Sequence, residues 1–308
     1  MYRFEKILVS LSLGENDVSL IRYANLIARL ARSSDVRFIY SREPVEIPES
    51  LKRQYPWMVK PLEDAAKERA QAFVEEHFEP LPNCKISIDI KDKHPALAAL
   101  ETIVLENIDL VLTGATLEER AISIKLARKA PCSVLTVPAN SNGEFSKICA
   151  GIDMSRFSEY VSDVATAFAS ANNITEIDCV SFYKVPRGYQ KTNLPRQHFV
   201  KDLEEHTSQS LKAFMEKQKL HGVKVNSTIT ESHFPGGAIH DVAKDNGCDL
   251  VVIGCRGKDA LTATLLGSNA EDAIQRSDQT AVLAVKEKGT GQTFIESLLG
   301  LKSSGSIL

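Results

Sequence analysis

The chain has 308 residues, 43% hydrophobic and 25% charged, with a formal net charge of −3 and a pI near 6.2. That is apolar material for about two domain cores, and it excludes disordered, collagen-like and disulfide-scaffold chains. The mildly acidic balance offers no broad basic field, and no apolar stretch approaches the roughly 20 residues that span a bilayer, so neither nucleic acid nor a membrane is an expected partner.

Met1-Tyr2-Arg3-Phe4-Glu5-Lys6 runs directly into a strand with no signal-peptide layout, which makes the cytoplasm the expected compartment. Lys6-Ile7-Leu8-Val9 starts that strand. The helix after it carries Leu20, Tyr23, Ala24, Ile27 and Ala28 at i, i+3, i+4, i+7 and i+8, the apolar stripe of a helix lying on a sheet. Then come a strand from Val36 to Tyr40, a polar helix over about 61–78 and a strand over about 85–90. Pro95 opens a short helix, Asp109-Leu-Val-Leu-Thr-Gly114 reads as a buried strand, and Val134–Val137 is the last strand of the set.

Beyond the polar seam Pro138–Gly143 the same order returns. Lys147-Ile148-Cys149-Ala150 lies 141 residues after Lys6-Ile7-Leu8-Val9, and its helix repeats the stripe with Val161, Val164, Ala165, Phe168 and Ala169. Strand Ile177–Phe182, helix 201–220, strand 223–230, Pro235, Asp249-Leu-Val-Val-Ile-Gly254 and Val282–Val285 complete the second copy. The expected domains are residues 1–140 and 144–288, with a tail over 289–308 in which Phe294, Ile295, Leu298 and Leu299 make a short apolar stripe. Each half is β-α-β-α-β-α-β-α-β. The expected fold class is α/β: two tandem Rossmann-like, doubly wound, five-stranded parallel sheets. Ligands of such sheets bind beyond the carboxyl ends of the strands, where the winding reverses.

The six cysteines include no CxxC pair and mostly sit in apolar runs, so they read as reduced, buried thiols. His221, His233 and His240 have no metal-ligand spacing, and the pair Pro56-Trp57 reads as packing against a sheet edge or lid.

The chemistry concentrates after the fourth strand of the second half. Gly254-Cys-Arg-Gly257 is followed nine residues later by Gly267-Ser268. Glycines let the backbone approach a phosphate, the N–H groups and dipole of the following helix supply attraction, and Arg256 and Lys258 add positive charge. Neither a Walker loop nor GxGxxG is present. Ser268-Asn-Ala-Glu271 also has the form of a capping box, a purely structural use of the same residues. Gly236-Gly237 after Pro235 reads first as a helix-entry turn, with a close-approach turn near the ribose of a nucleotide as the alternative.

The first half lacks these features. Gly114 to Val134 is 20 positions against 28 from Gly254 to Val282, and Gly114-Ala-Thr-Leu-Glu-Glu-Arg120 keeps one glycine and adds two acids that would repel a phosphate. Ser12 stands where the second half has Asp153.

These residues resemble the universal stress protein family, and the doubled layout resembles its tandem-domain members, over about residues 1–288. The family's nucleotide motif is a glycine, two residues, a glycine, nine residues, then glycine and Ser or Thr; Gly254, Gly257, Gly267 and Ser268 match it without a gap. The resemblance implies an adenine nucleotide alpha hydrolase-like fold and an ATP site in the second half only. There Asp153 would meet the adenosine, the main chain of Phe182 the adenine edge, and Asn269 would lend an N–H to the phosphates. It further implies that the last strands of the two halves pair into an intramolecular pseudo-dimer, with a homodimer of such chains left open.

The expected role is nucleotide-dependent regulation or stress adaptation, with ATP a bound signal for a regulatory protein partner. Hydrolysis would be slow at most, since no base is positioned and Arg256 is the nearest arginine. Were Mg²⁺ to accompany the phosphates, Asp153 is the acid at hand. Two other classes compete: a non-nucleotide scaffold holding a protein or apolar ligand between the domains, and an adenylate-forming or sulfur-transfer enzyme. The lack of an SGGxDS-type loop counts against the enzyme.

Overall fold

The computed structural model describes residues 4–14, 16–42, 48–55, 61–256, 266–289 and 299. The chain forms two compact units; of the described residues one holds 4–144, 287–289 and 299, and the other is Phe145–Lys286. Trp57 and most of the tail stripe lie outside the described residues, as does Gly257.

The first unit runs β1 (Lys6–Leu11), α1 (Asp17–Ala31), β2 (Asp35–Arg42), α2 (Glu49–Gln54), α3 (Pro61–His77), β3 (Lys85–Asp92), α4 (Pro95–Glu106), β4 (Leu110–Gly114), α5 (Leu117–Lys129) and β5 (Ser133–Val137). Its strands are all parallel, in the order β3-β2-β1-β4-β5.

The second unit runs β6 (Ile148–Gly151), α6 (Arg156–Ala171), β7 (Glu176–Tyr183), α7 (Arg196–Met215), β8 (Lys224–Glu231), α8 (Pro235–Asp245), β9 (Leu250–Gly254), α9 (Ser268–Gln275) and β10 (Ala281–Val285). The order β8-β7-β6-β9-β10, again all parallel, repeats that of the first unit. These are the Rossmann-like doubly wound sheets that the alternation of elements calls for.

Sequence pattern accounts for the packing. Leu110, Val111 and Leu112 of β4 and Leu250, Val251 and Val252 of β9 are buried, as strands covered on both faces must be. Each such side chain contributes about 1.5–3 kcal/mol through removal from water. The stripes of α1 and α6 face inward residue for residue, Leu20, Tyr23, Ala24, Ile27 and Ala28 in one and Val161, Val164, Ala165, Phe168 and Ala169 in the other. Asp109 and Asp249, each just before a central strand, accept backbone N–H groups at the start of β1 and β6: Lys6 N at 2.8 Å in one unit, Ser146 N at 2.8 Å and Lys147 N at 3.2 Å in the other. The repeated aspartate is therefore a register clamp. The seam is held too, because Ser19 Oγ lies 2.7 Å from the carbonyls of both Ala139 and Ser141, and Tyr23 donates to the Glu144 carbonyl.

All six cysteines are free thiols. Burial pushes the Cys179 thiol up to about 12, so it stays protonated and unreactive. Among the described residues no helix is long and apolar enough to cross a membrane.

Candidate functional site

From β6 the chain crosses to β7, and from β9 it crosses to β10 in the other direction. Right-handed crossovers therefore put α6 and α9 on opposite faces, opening a crevice between the carboxyl ends of β6 and β9. A cavity of about 470 Å³ lies in that crevice. The end of β6 contributes Gly151 to Met154, β9 contributes Ile253 and Gly254, and Phe182 comes from β7. Pro235, Gly236 and Ile239 of α8 form one wall; Gly267, Ser268, Asn269 and Ala270 at the start of α9 form another. Six of the seven residues singled out in the sequence thus share one cavity: Asp153, Phe182, Gly254, Gly267, Ser268 and Asn269.

Asp153 is fixed by its own turn. Ser158 Oγ donates to Asp153 Oδ1 at 2.6 Å and accepts from the Asp153 N–H at 3.0 Å, while the Ser155 N–H donates to the same Oδ1 at 3.0 Å. The next residue, Met154, has φ +58, a left-handed conformation costing about 1–2 kcal/mol for a residue with a Cβ. The strained turn carries the chain away from the sheet at the cavity mouth.

Phe182 offers main chain to the cavity by register. In a parallel strand a residue's N–H and C=O point to the same side. The Val180 carbonyl accepts from Ile152 N on the β6 side, and the Tyr183 carbonyl accepts from Ser232 N on the β8 side. Phe182 therefore points its peptide groups toward β6, which has ended at Gly151. By the same register the N–H that would meet the Phe182 carbonyl is that of Met154, where the chain has turned off the sheet at φ +58.

The start of α9 differs from the capping-box expectation. The N-cap is Gly267, with extended backbone (φ −65, ψ 142), and Ser268 is the first helical residue; no side chain caps this end. The physical reason is that the chain leaves β9 in a loop whose ends are pinned, Gly267 N to Cys255 O at 2.8 Å, so extended backbone persists one residue longer than the local pattern suggests. The first N–H groups of a helix have no intrahelical partner, and here those of exposed Ser268 and Asn269 lie at the cavity. The start of α8, where Pro235 and Gly236 line the cavity beside α9, also lacks a side-chain cap. The positive dipole ends of α8 and α9 and the Arg256 guanidinium make this wall attractive to anions.

Gly236 and Gly237 belong to the first turn of α8, and their smallness serves helix packing. A Cβ on Gly236 would run into the Asn269 carbonyl oxygen and lie 2.9 Å from Asn269 Cα. α8 can therefore press against α9 where both line the cavity. His240 supports the same joint by hydrogen bonding through Nε2 to the Ala273 carbonyl at 2.8 Å; burial lowers its pKa and favours the neutral ring. Sequence reasoning offered Gly236 only as the lesser alternative of a close-approach turn and missed Ile239, because only the fold brings α8 beside the start of α9.

The first unit closes the equivalent place with its own side chains. β4 is followed after Ala115 and Thr116 by α5, 13 residues long against 8 for α9, so the missing loop is replaced by an early helix start. Thr116 and Glu119 form a complete capping box, with Thr116 N to Glu119 Oε2 at 3.0 Å and Glu119 N to Thr116 Oγ1 at 3.3 Å. The Glu119 carboxylate lies over Gly114, where a Cβ would collide with it. A negatively charged group of the chain itself thus covers the counterpart of Gly254.

The comparisons with known proteins agree with this architecture. A model of the universal stress protein family matches residues 144–286. The chain is similar to a universal stress protein E homolog of Haemophilus influenzae, 26% identical over 211 residues, covering 60% of this chain and 64% of the relative. It is also similar to a universal stress protein of Methanocaldococcus jannaschii, 31% identical over 119 residues, 37% of this chain and 72% of the relative. Two crystal structures share the fold over nearly the whole length. One is a functionally unknown protein of Pseudomonas aeruginosa (17% identity, 96% of this chain and 97% of that one, TM-score 0.66). The other is a universal stress protein of Archaeoglobus fulgidus (13% identity, 94% and 98%, TM-score 0.60). Fold and crevice define a doubly wound α/β protein with an anion-attracting cavity at the switch point. The chain belongs to the universal stress protein family.

Proposed function

We propose that the second unit binds an adenine nucleotide of the ATP type and that the protein is a cytoplasmic, nucleotide-dependent regulator of stress adaptation. The observation that carries this is the start of α9. It is capped by no side chain and lines a cavity shared with Asp153 and Phe182, whereas its counterpart α5 is capped and covered by Glu119. Peptide N–H groups beside a glycine, a guanidinium and a tethered carboxylate suit the phosphates and the hydroxyl-bearing sugar of a nucleotide, and Phe182 suits a base edge with both a donor and an acceptor. Asp153, the acid of the cavity, is the side chain that could help hold Mg²⁺ with the phosphates.

The test is equilibrium binding of labelled ATP to the full chain and to Gly267→Val. A saturable site lost in the variant supports the nucleotide site. Absence of saturable binding at millimolar ATP supports a scaffold for a protein or apolar partner, and turnover to AMP and pyrophosphate would support an adenylate-forming enzyme.

A further inference from the structure

Phe157, in the first turn of α6, gathers two guanidinium groups. Arg156 Cζ lies 4.8 Å and Arg256 Cζ 5.7 Å from its ring centroid. Both are within the roughly 6 Å at which an aromatic face attracts a cation. Arg256 follows Gly254 by two residues and lines the cavity with the start of α9. A Cβ on Gly254 would lie 3.1 Å from the Arg256 carbonyl oxygen and 3.8 Å from Phe157 Cβ, so the glycine lets this segment lie close against α6.

The first unit is the internal control. At the 141-residue offset Arg156 and Phe157 are replaced by Glu15 and Asn16, and Arg256, two residues past the strand glycine, by Thr116. Thr116 caps α5 instead of projecting a charge. All three members of the cluster are therefore absent from the unit that lacks the glycine loop.

We infer that Phe157 is a positioning residue that holds Arg256, with Arg156 beside it, to read the phosphates farthest from the sugar, so that the cavity selects nucleotides by phosphate-chain length and takes a triphosphate in preference to a monophosphate. This rests on the nucleotide site proposed above. The start of α9 can serve one phosphate group through its N–H groups, but each further phosphate adds charge that needs a cation. A planar guanidinium held over a ring is restricted in its motion and can meet two phosphate oxygens at once. Asp153, the acid in the same cavity, has its Oδ1 engaged by Ser155 and Ser158.

Calorimetric titration of the full chain with ATP, AMP and inorganic tripolyphosphate, in wild type, Phe157→Leu and Phe157→Tyr, tests the inference. Phe157→Leu keeps apolar bulk and removes the π face. It should weaken ATP and tripolyphosphate about five-fold, the size of one cation–π contact, and leave AMP unchanged, while Phe157→Tyr restores the wild-type preference. An unchanged ATP-to-AMP ratio in Phe157→Leu, or an equal loss for both nucleotides, overturns the inference and leaves the nucleotide site standing. Binding of tripolyphosphate that depends on the Phe157 ring, without binding of either nucleotide, overturns the nucleoside part and supports the phosphate-chain reader. No binding of any probe overturns both.

Discussion

Ser158 holds the carboxylate of Asp153 at 2.6 Å, and in the first unit the same two positions carry the same two residue types in reverse. There Ser12 ends the strand and Asp17 stands on the helix, with Ser12 Oγ and N–H and the Leu13 N–H all donating to the Asp17 carboxylate at 2.6–3.1 Å. The turn is conserved in shape, Leu13 at φ +58 matching Met154 at φ +58. Exchanging acid and hydroxyl moves the charge from the cavity wall to a buried helix position, where Asp17 is 1% exposed.

The tether gives a first prediction. Ser158→Ala should weaken ATP binding about ten-fold and destabilise the second unit by about 1–2 kcal/mol, because a hydrogen bond to the carboxylate is lost and only the Ser155 N–H still holds Asp153 Oδ1. Calorimetric titration and urea unfolding measure the two effects. Unaltered affinity would mean that the orientation of Asp153 is irrelevant to the ligand.

Asp17 gives a pH dependence. Burial is the main cause of its raised pKa, opposed by hydrogen bonds from Ser12 and Leu13 and reinforced by the charge of Glu119. With the folded value above 3.8, the native state binds the proton more readily than the unfolded chain, so stability falls as pH rises from 3.8 through the folded value and is constant above it. Asp17→Asn removes this titration. The stability of wild type relative to Asp17→Asn should therefore improve as the pH is lowered toward 4, measured by thermal melts of both proteins in parallel. A difference that does not change with pH would contradict the assignment.

Two glycines separate soft from hard crowding. A methyl group at Gly114 meets the end of the flexible Glu119 side chain, so Gly114→Ala should cost about 1 kcal/mol, the worth of the cap it displaces, and much less when Glu119→Ala is already present. A methyl group at Gly236 meets backbone of Asn269, which cannot yield. Gly236→Ala should cost about 1–3 kcal/mol and also weaken nucleotide binding by pushing the start of α9 out of place. Urea unfolding of the three variants and the double variant, with ATP titration of Gly236→Ala, reads these outcomes.

Much of this was legible in the sequence for a physical reason. Burial on both faces forces β4 and β9 to be continuously apolar, and helices on a sheet must repeat their stripe, so the two sheets can be read from periodicity. Gly254, Gly267 and Asp153 were legible as cavity residues because the proposed phosphate cradle would need particular residue types at particular places. Of the α8 wall, Gly236 was legible only as a lesser alternative and Ile239 not at all, since both reach the cavity only through crossover geometry. The start of α9 shifted by one residue because Gly267 is set by the pinned loop and not by the Ser268…Glu271 pattern. The exchange of Ser12 and Asp17 against Asp153 and Ser158 was present in the 141-residue offset all along, but its meaning depends on the hydrogen bonds.

A crystal of the full chain grown with ATP tests the asymmetry of the two units most directly. One nucleotide should appear, its phosphates against Ser268 and Asn269 and its sugar beside Asp153, with Glu119 still covering Gly114. Nucleotide density beside Ser12 and Gly114, or a second-unit crevice filled by side chains of the chain itself, would contradict it.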